Sequence, residues 1–172
     1  MNRTTVGGPE LGGGRGAGGV LVLVNPAGAG DSPVAELLAR ELNPSVHLRT
    51  ADFLRVIRGR LPSGTSDAAG AADAAEAGRR NATALAAAAQ AAFAYATRGY
   101  QVVVEAPAVP TALDTFRRES RATGAALHYV VLHSGPAPED APHALDTTGL
   151  GPEDAAGSVL AALDDRTHLL GW

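Results

Sequence analysis

The eight residues Asn25, Pro26, Ala27, Gly28, Ala29, Gly30, Asp31 and Ser32 have types and spacing that bear directly on chemistry. They interrupt an apolar, β-branched run and precede a helical pattern, which is the frame of a phosphate-binding loop, G-x-x-x-x-G-K-[ST]. In such a loop the backbone around Gly28 and Gly30 would cradle phosphate oxygens, the hydroxyl of Ser32 would reach Mg²⁺, and a lysine would neutralise the phosphates. The lysine position holds Asp31. No other lysine can substitute, because all 14 basic residues are arginine. Two like charges about 4 Å apart repel by roughly 4 kcal/mol at an effective dielectric of about 20, and the lost attraction adds to that. Pro33 also lacks the N–H that the residue after the Ser normally offers. Asp31 is expected to serve as its own anion, its carboxylate accepting the exposed N–H groups at the helix start in competition with a nucleotide.

Two further acids fall at strand ends, where open parallel sheets place their ligands. Asp52 follows the strand SVHLR and can take a proton from a substrate hydroxyl or cap the next helix. Arg49 and Arg55 stand beside it as substrate-binding candidates, and Arg55, Arg58 and Arg60 form a basic edge. Glu105 closes the strand QVVVE, a position from which a carboxylate can hold Mg²⁺ or position a nucleophile. Asp31, Asp52 and Glu105 around one cleft would suit a divalent cation, although capping accounts for each separately. His47 reads as a packed or edge histidine, since no second histidine lies at ligand spacing.

These residues need elements to position them. Val20 to Val24 is short, continuous and apolar, a strand buried on both faces. Ser32 is placed to cap the following helix, with Pro33 at its first position and Val34, Leu37, Leu38 and Leu42 on one side. Ser45 to Arg49 is a second strand, leading into a helix through Phe53, Val56 and Ile57. Between Pro62 and Gly78 the composition collapses largely to Ala, Gly, Ser, Asp and Glu, and Gly64, Gly70 and Gly78 weaken any helix, so a mobile or loosely helical segment is expected. Arg79 to Arg98 is a firm helix stopped by Gly99. Gln101 to Glu105 and Ala126 to Leu132 are the third and fourth strands, flanking a helix over Thr111 to Ala122. After a proline-rich loop from Gly135 to Pro142, His143 to Asp146 forms a brief fifth strand, and Pro152 to Leu163 a last helix. Strands alternating with helices predict a parallel sheet covered on both faces, with right-handed crossovers.

With 172 residues and near-average apolar and charged content, the chain suits one globular domain. Its net charge of −4 gives no basic footprint for nucleic acid. It has no cysteine, which excludes disulfides and thiolate chemistry and makes a reducing cytoplasm the default. No apolar run is long enough to cross a membrane, and residues 1–19, rich in glycine, are expected to be a flexible tail without the apolar core of a signal peptide. Leu169, Leu170 and Trp172 are expected to cover the domain's own edge, with docking on a neighbour, as in a homodimer, the alternative.

Taken in order, the Asn25–Ser32 loop, HLRTADF (47–53), the Asn81 helix leading into GYQVVVE, HYVVLHS (128–134) and LDTTGLGPEDA (145–155) resemble the P-loop small-molecule kinases of the adenylate-kinase-like class. The resemblance is to the chloramphenicol phosphotransferase-like and zeta-toxin-like ATPases, often labelled AAA family proteins. It covers nearly everything from Val20 to Leu163 and implies a three-layer α/β fold with a five-stranded parallel sheet in the order 2-3-1-4-5. It also implies ATP and Mg²⁺ as cofactors, held by Gly28, Gly30, Asp31 and Ser32, with Glu105 beside the metal. Asp52 would face the substrate hydroxyl, and Asp146, Thr147 and Thr148 would wall the adenine. The chain departs from that pattern at Asp31, and also where an arginine-bearing lid should follow the fourth strand. Phosphoryl transfer depends almost wholly on positioning and charge stabilisation, so these losses point to a non-catalytic or repurposed small-molecule or phosphate-binding domain. The alternative is a phosphotransferase using Asp52 as base, with Arg49, Arg117 or a partner chain supplying the missing charge.

Overall fold

The computed structural model describes residues 9–12, 17–25, 32–59, 67–136 and 143–170. Five strands, β1 (Gly19–Val24), β2 (Ser45–Arg49), β3 (Gln101–Ala106), β4 (Ala126–His133) and β5 (Ala144–Asp146), form one sheet in the order β2-β3-β1-β4-β5. Every neighbouring pair is parallel. The connections carry α1 (Pro33–Glu41), α2 (Thr50–Val56), α3 (Asp67–Ala96) and α4 (Pro110–Thr123), and α5 (Pro152–Asp164) follows β5. The order is the one that the kinase resemblance implies.

Alternation along the strands divides the core. Val20, Val22, Val24, Val102 and Val104 face α3 and α4, where Phe93 and Phe116 fill the layer. Leu21, Leu23, Val103 and Val130 face α1 and α5, against Leu38 and Val159. β1 is buried along its whole length because it is the central strand, with a helix layer on each side. Each buried Val, Leu or Phe in these layers contributes about 1.5–3 kcal/mol, so the sheet is a firm platform for whatever its carboxyl ends carry.

Three expectations need correction. Asp52 does not cap α2, which begins at Thr50 with Arg49 at the N-cap, so Asp52 lies within the first turn. The segment expected to be mobile or loosely helical is a regular helix from Asp67, since α3 runs unbroken through Gly70 and Gly78. Each internal glycine costs about 1 kcal/mol against alanine, but the surrounding alanines are the best helix formers and the far half of α3 is anchored on the sheet. Residues 62–66 lie outside the described residues. The third correction concerns the glycine-rich start of the chain, where Leu11 is only 2% exposed. Its N–H donates to Gln101 Oε1 at 2.8 Å and its carbonyl accepts from His128 Nε2 at 3.1 Å. Leu11 therefore clasps the amino ends of β3 and β4 where a free tail was expected, while residues 1–8 and 13–16 lie outside the described residues.

At the other end of the chain, Leu170 is buried against the α3 and α4 side of the sheet, its N–H donating to the Leu127 carbonyl at 2.9 Å. Leu169 bridges to His128 in antiparallel fashion. These contacts cover the domain's own edge, as expected for this pair, while Trp172 lies outside the described residues. No helix among the described residues is long and apolar enough to cross a membrane.

Candidate functional site

Ser32 caps α1 as the sequence predicts. Its backbone is extended, its hydroxyl accepts the Ala35 N–H at 3.4 Å, and Pro33 opens the helix. This fixes the helix start against the carboxyl end of β1, with Ser32 4% exposed. Residues 26–31, including Gly28, Gly30 and Asp31, lie outside the described residues, so the roles expected for them stay with the sequence.

Register decides what meets Ser32. Glu105 lies beside Leu23 of β1 and Arg49 of β2, while His47 lies beside Val103. In a parallel sheet, laterally paired residues share a face, so His47, Arg49, Val103 and Glu105 all project toward the α1 side. There the Glu105 carboxylate spans two groups. Its Oε1 is 2.7 Å from His47 Nε2, and its Oε2 accepts the Ser32 N–H at 3.2 Å.

Asp52 is held differently. Its Oδ2 accepts from Arg49 Nε at 3.1 Å and its Oδ1 from Arg55 Nη1 at 2.7 Å. Arg49 at the cap and Arg55 one turn on bracket Asp52 at three-residue spacing, which brings all three together on the helix surface. The pairs are solvated, with side-chain exposures of 35% for Arg49, 45% for Asp52 and 74% for Arg55. Each therefore contributes less than about 1 kcal/mol to stability.

Ser32, Glu105, Arg49, Asp52 and Arg55 line one cavity of about 410 Å³ at the carboxyl ends of β1, β2 and β3. The fold thus gathers Asp52, Glu105, Arg49 and Arg55 into a single cleft, whereas Arg117 on α4 does not line it. Asn81 of α3 also lines it. Across β1, a second cavity of about 480 Å³ lies between the end of β4 and the start of α5, with Thr147, His133 and Pro152 in its wall and Asn25 shared with the first. Of the residues expected to wall an adenine, Thr147 lines this second space. Asp146 and Thr148 instead lock the turn after β5. Asp146 Oδ1 accepts the Thr148 hydroxyl at 2.5 Å and the Thr148 N–H at 2.8 Å. The hydroxyl bond and then the amide bond hold the Asp146 carboxyl below its ordinary value, and the charge of His133 acts in the same sense. The Thr148 hydroxyl in turn accepts the Gly135 N–H at 2.8 Å, tying the β4 exit to the β5 exit.

Ser32 and Glu105 were expected to serve Mg²⁺. In the structure the Ser32 hydroxyl caps α1, and the two Glu105 oxygens meet His47 Nε2 and the Ser32 N–H. Among the described residues no group of three His, Asp or Glu side chains is placed to hold a metal ion. His47, read from the sequence as a packed or edge histidine, lies on the edge strand β2 and meets Glu105, a partner that the sequence does not show. The signal was its position two residues before Arg49 on the same strand face, which acquires meaning only once β2 is known to pair with β3.

The sheet order and the cleft at its carboxyl ends define an α/β fold of the P-loop kinase type. Solved structures, kinases among them, share it. The APS kinase of Mycobacterium tuberculosis in complex with AMPPNP and APS superposes with a TM-score of 0.62 and 16% identity, over 86% of this chain and 98% of that one. The tunicamycin resistance protein of Deinococcus radiodurans gives 0.61 and 15%, over 85% and 95%. A gluconokinase from Sinorhizobium meliloti gives 0.55 and 15%, over 87% and 93%. At this identity the likeness is one of fold. No protein-family model matches the chain, and no curated protein matches it in sequence.

Proposed function

We propose that this chain is a small-molecule-binding domain on a P-loop kinase scaffold, one that does not transfer phosphate. The observation carrying this reading is the clamp on Asp52. The carboxylate expected to take a proton from a substrate hydroxyl has each oxygen bonded to a guanidinium, and one of the two, Arg49, is an arginine that would otherwise answer for the missing lysine. General base catalysis needs a carboxylate aimed at the proton it abstracts, and charge stabilisation of a phosphoryl group needs cations aimed at it. The clamp directs both kinds of group at each other. The cavity itself is retained, and about 410 Å³ falls within the range that holds small ligands.

Incubation with ATP, Mg²⁺ and a panel of hydroxyl-bearing small molecules is expected to yield no ADP above the protein-free rate. A thermal-shift screen of small molecules is expected to find stabilisers whose effect is lost in Arg49→Ala. ADP production that disappears in Asp52→Asn would overturn the reading. It would favour the phosphotransferase alternative, which draws its support from Arg49 and Arg55 both lining the cavity.

A further inference from the structure

Residues 166–170 close an edge that the sheet itself leaves open, and imidazoles meet at the closure. We propose that this segment is an acid-opened strap, docked on β4 while His168 is uncharged and released from its edge when His168 takes up a proton. The device is separate from the cleft, since none of residues 166–170 lines that cavity.

β5 pairs with β4 only at Val131, Leu132 and His133. The edge from Leu127 to Tyr129 is left for another partner, and the strap supplies it. The Tyr129 N–H donates to the His168 carbonyl at 3.2 Å, the Leu170 N–H donates to the Leu127 carbonyl at 2.9 Å, and Leu169 lies opposite His128 in the antiparallel bridge. A hold made of these bonds and the buried Leu170 is of the kind that opens locally while the rest of a domain stays folded. The turn leading into the strap works against it, because Arg166 has a φ of 56°, a left-handed backbone that a residue with a Cβ adopts at a cost. Opening relieves that turn.

His168 is the group on which acid acts. It is 5% exposed, its Nδ1 is buried without a hydrogen-bond partner, and its ring packs edge-on against His143 with centroids 6.1 Å apart. His143 in turn meets the Tyr129 ring, and the Nδ1 atoms of His143 and His128 are likewise buried without partners. Nothing nearby is arranged to receive a further cation. The facing charges are Arg166 at the end of α5 and Arg117 of α4, while the acids at this end of the molecule, Glu10, Asp164 and Asp165, are exposed. Among the described residues no carboxylate pairs with any of the three imidazoles. Burial holds all three below the ordinary imidazole value; at His128 the bond to the Leu11 carbonyl opposes it and the charges of His168 and Arg166 add to it, as those of His168 and Arg117 do at His143. Freed into water, His168 regains its ordinary value, so docking is fully favoured above about pH 6.5 and loses ground as the pH falls from there toward the lowered docked value.

Amide hydrogen exchange of the full chain tests this, with each rate divided by the intrinsic rate at that pH. At about pH 7.5 the Tyr129 and Leu170 amides are expected to be at least about tenfold less protected than those of β1, the mark of a local opening. Between about pH 7.5 and about pH 5.5 their protection should fall by about tenfold or more, the change produced by one imidazole that is ordinary when free and uncharged when docked. His168→Phe keeps a ring against His143 and cannot charge, so its fall should be about tenfold smaller. Equal protection of the strap and β1 amides would overturn the proposal, because the strap would then leave only with the whole fold. A fall of less than about twofold in wild type would also overturn it, as would a fall in His168→Phe as large as that in wild type. Should His168→Phe fail to fold, His168→Gln, equally unable to charge in this range, gives the same comparison.

Discussion

Replacing Leu11 with alanine should destabilise this protein as a core mutation does, although the residue sits in a stretch that is mostly glycine. The side chain is 2% exposed and belongs to the cluster that α1 and α5 form against the sheet. Burying a leucine and then deleting it costs the transfer energy of the lost carbons plus a cavity term, together about 2–5 kcal/mol. Little collapse is available at this point, because a Cβ built on Gly19 would lie 2.7 Å from Leu11 Cβ, which shows how closely the two backbone segments approach. A loss of about 3 kcal/mol is therefore expected, and for a domain of this size it lowers Tm by roughly 6–12 °C. Urea unfolding followed by circular dichroism should show a reduced midpoint at unchanged slope, the mark of a change in stability alone. Leu150→Ala serves as the control, since that side chain is 42% exposed, and its cost should stay near about 0.5 kcal/mol. Gln101→Ala should show the same dependence from the other side, because it strands the buried Leu11 N–H at a cost of about 1–3 kcal/mol. A Tm for Leu11→Ala within about 1 °C of wild type would refute the clasp and restore the picture of a free tail.

Gly78→Ala should raise stability by about 0.5–1 kcal/mol in urea titration, because a Cβ there meets nothing within 4 Å and the position lies inside a regular helix. Acidification should destabilise the protein. Burial lowers the pKa of His128, His143 and His168 below the ordinary imidazole value, so the unfolded chain binds protons before the folded one does. Stability is then highest above about pH 6.5 and falls as the pH drops from that value toward the lowered folded pKa values. Each of these imidazoles also has a buried Nδ1 without a hydrogen-bond partner, and His168→Asn should flatten part of a Tm profile recorded between about pH 7.5 and 5.5. Asp52→Asn should change the unfolding free energy by less than about 1 kcal/mol, since its ion pairs are solvated; a loss beyond about 3 kcal/mol would mean that the clamp is structural.

Much of this architecture was legible along the chain. The run from Val20 to Val24 reads as a strand buried on both faces because five β-branched or leucine positions in succession suit such burial, and the structure buries it along its whole length. Ser32 and Pro33 mark the start of α1 because capping and a fixed φ act within a single turn. Gly99 and Gly124 stop their helices with φ of 89° and 73°, a backbone conformation that glycine adopts without penalty. Where local penalties are small and distributed, the local sequence does not settle the structure. The glycines of α3 argue against a helix one by one, yet a long helix anchored at one end tolerates them. Leu11 was lost in the averaged composition of its neighbours, since one side chain that finds a cavity outweighs a polar surround.

Strand type, the Ser32 cap of α1 and the replacement of a lysine by Asp31 were determined by the sequence alone, since sterics, propensity and charge act between residues close along the chain. The contact of His47 with Glu105, 58 residues apart, and the capture of the Ser32 amide by that carboxylate were decided only by the tertiary structure. Such contacts depend on which strands pair and in what register. A shift of one residue would turn Glu105 to the opposite face of the sheet, and that choice is made by the packing of the whole core rather than by any segment within it.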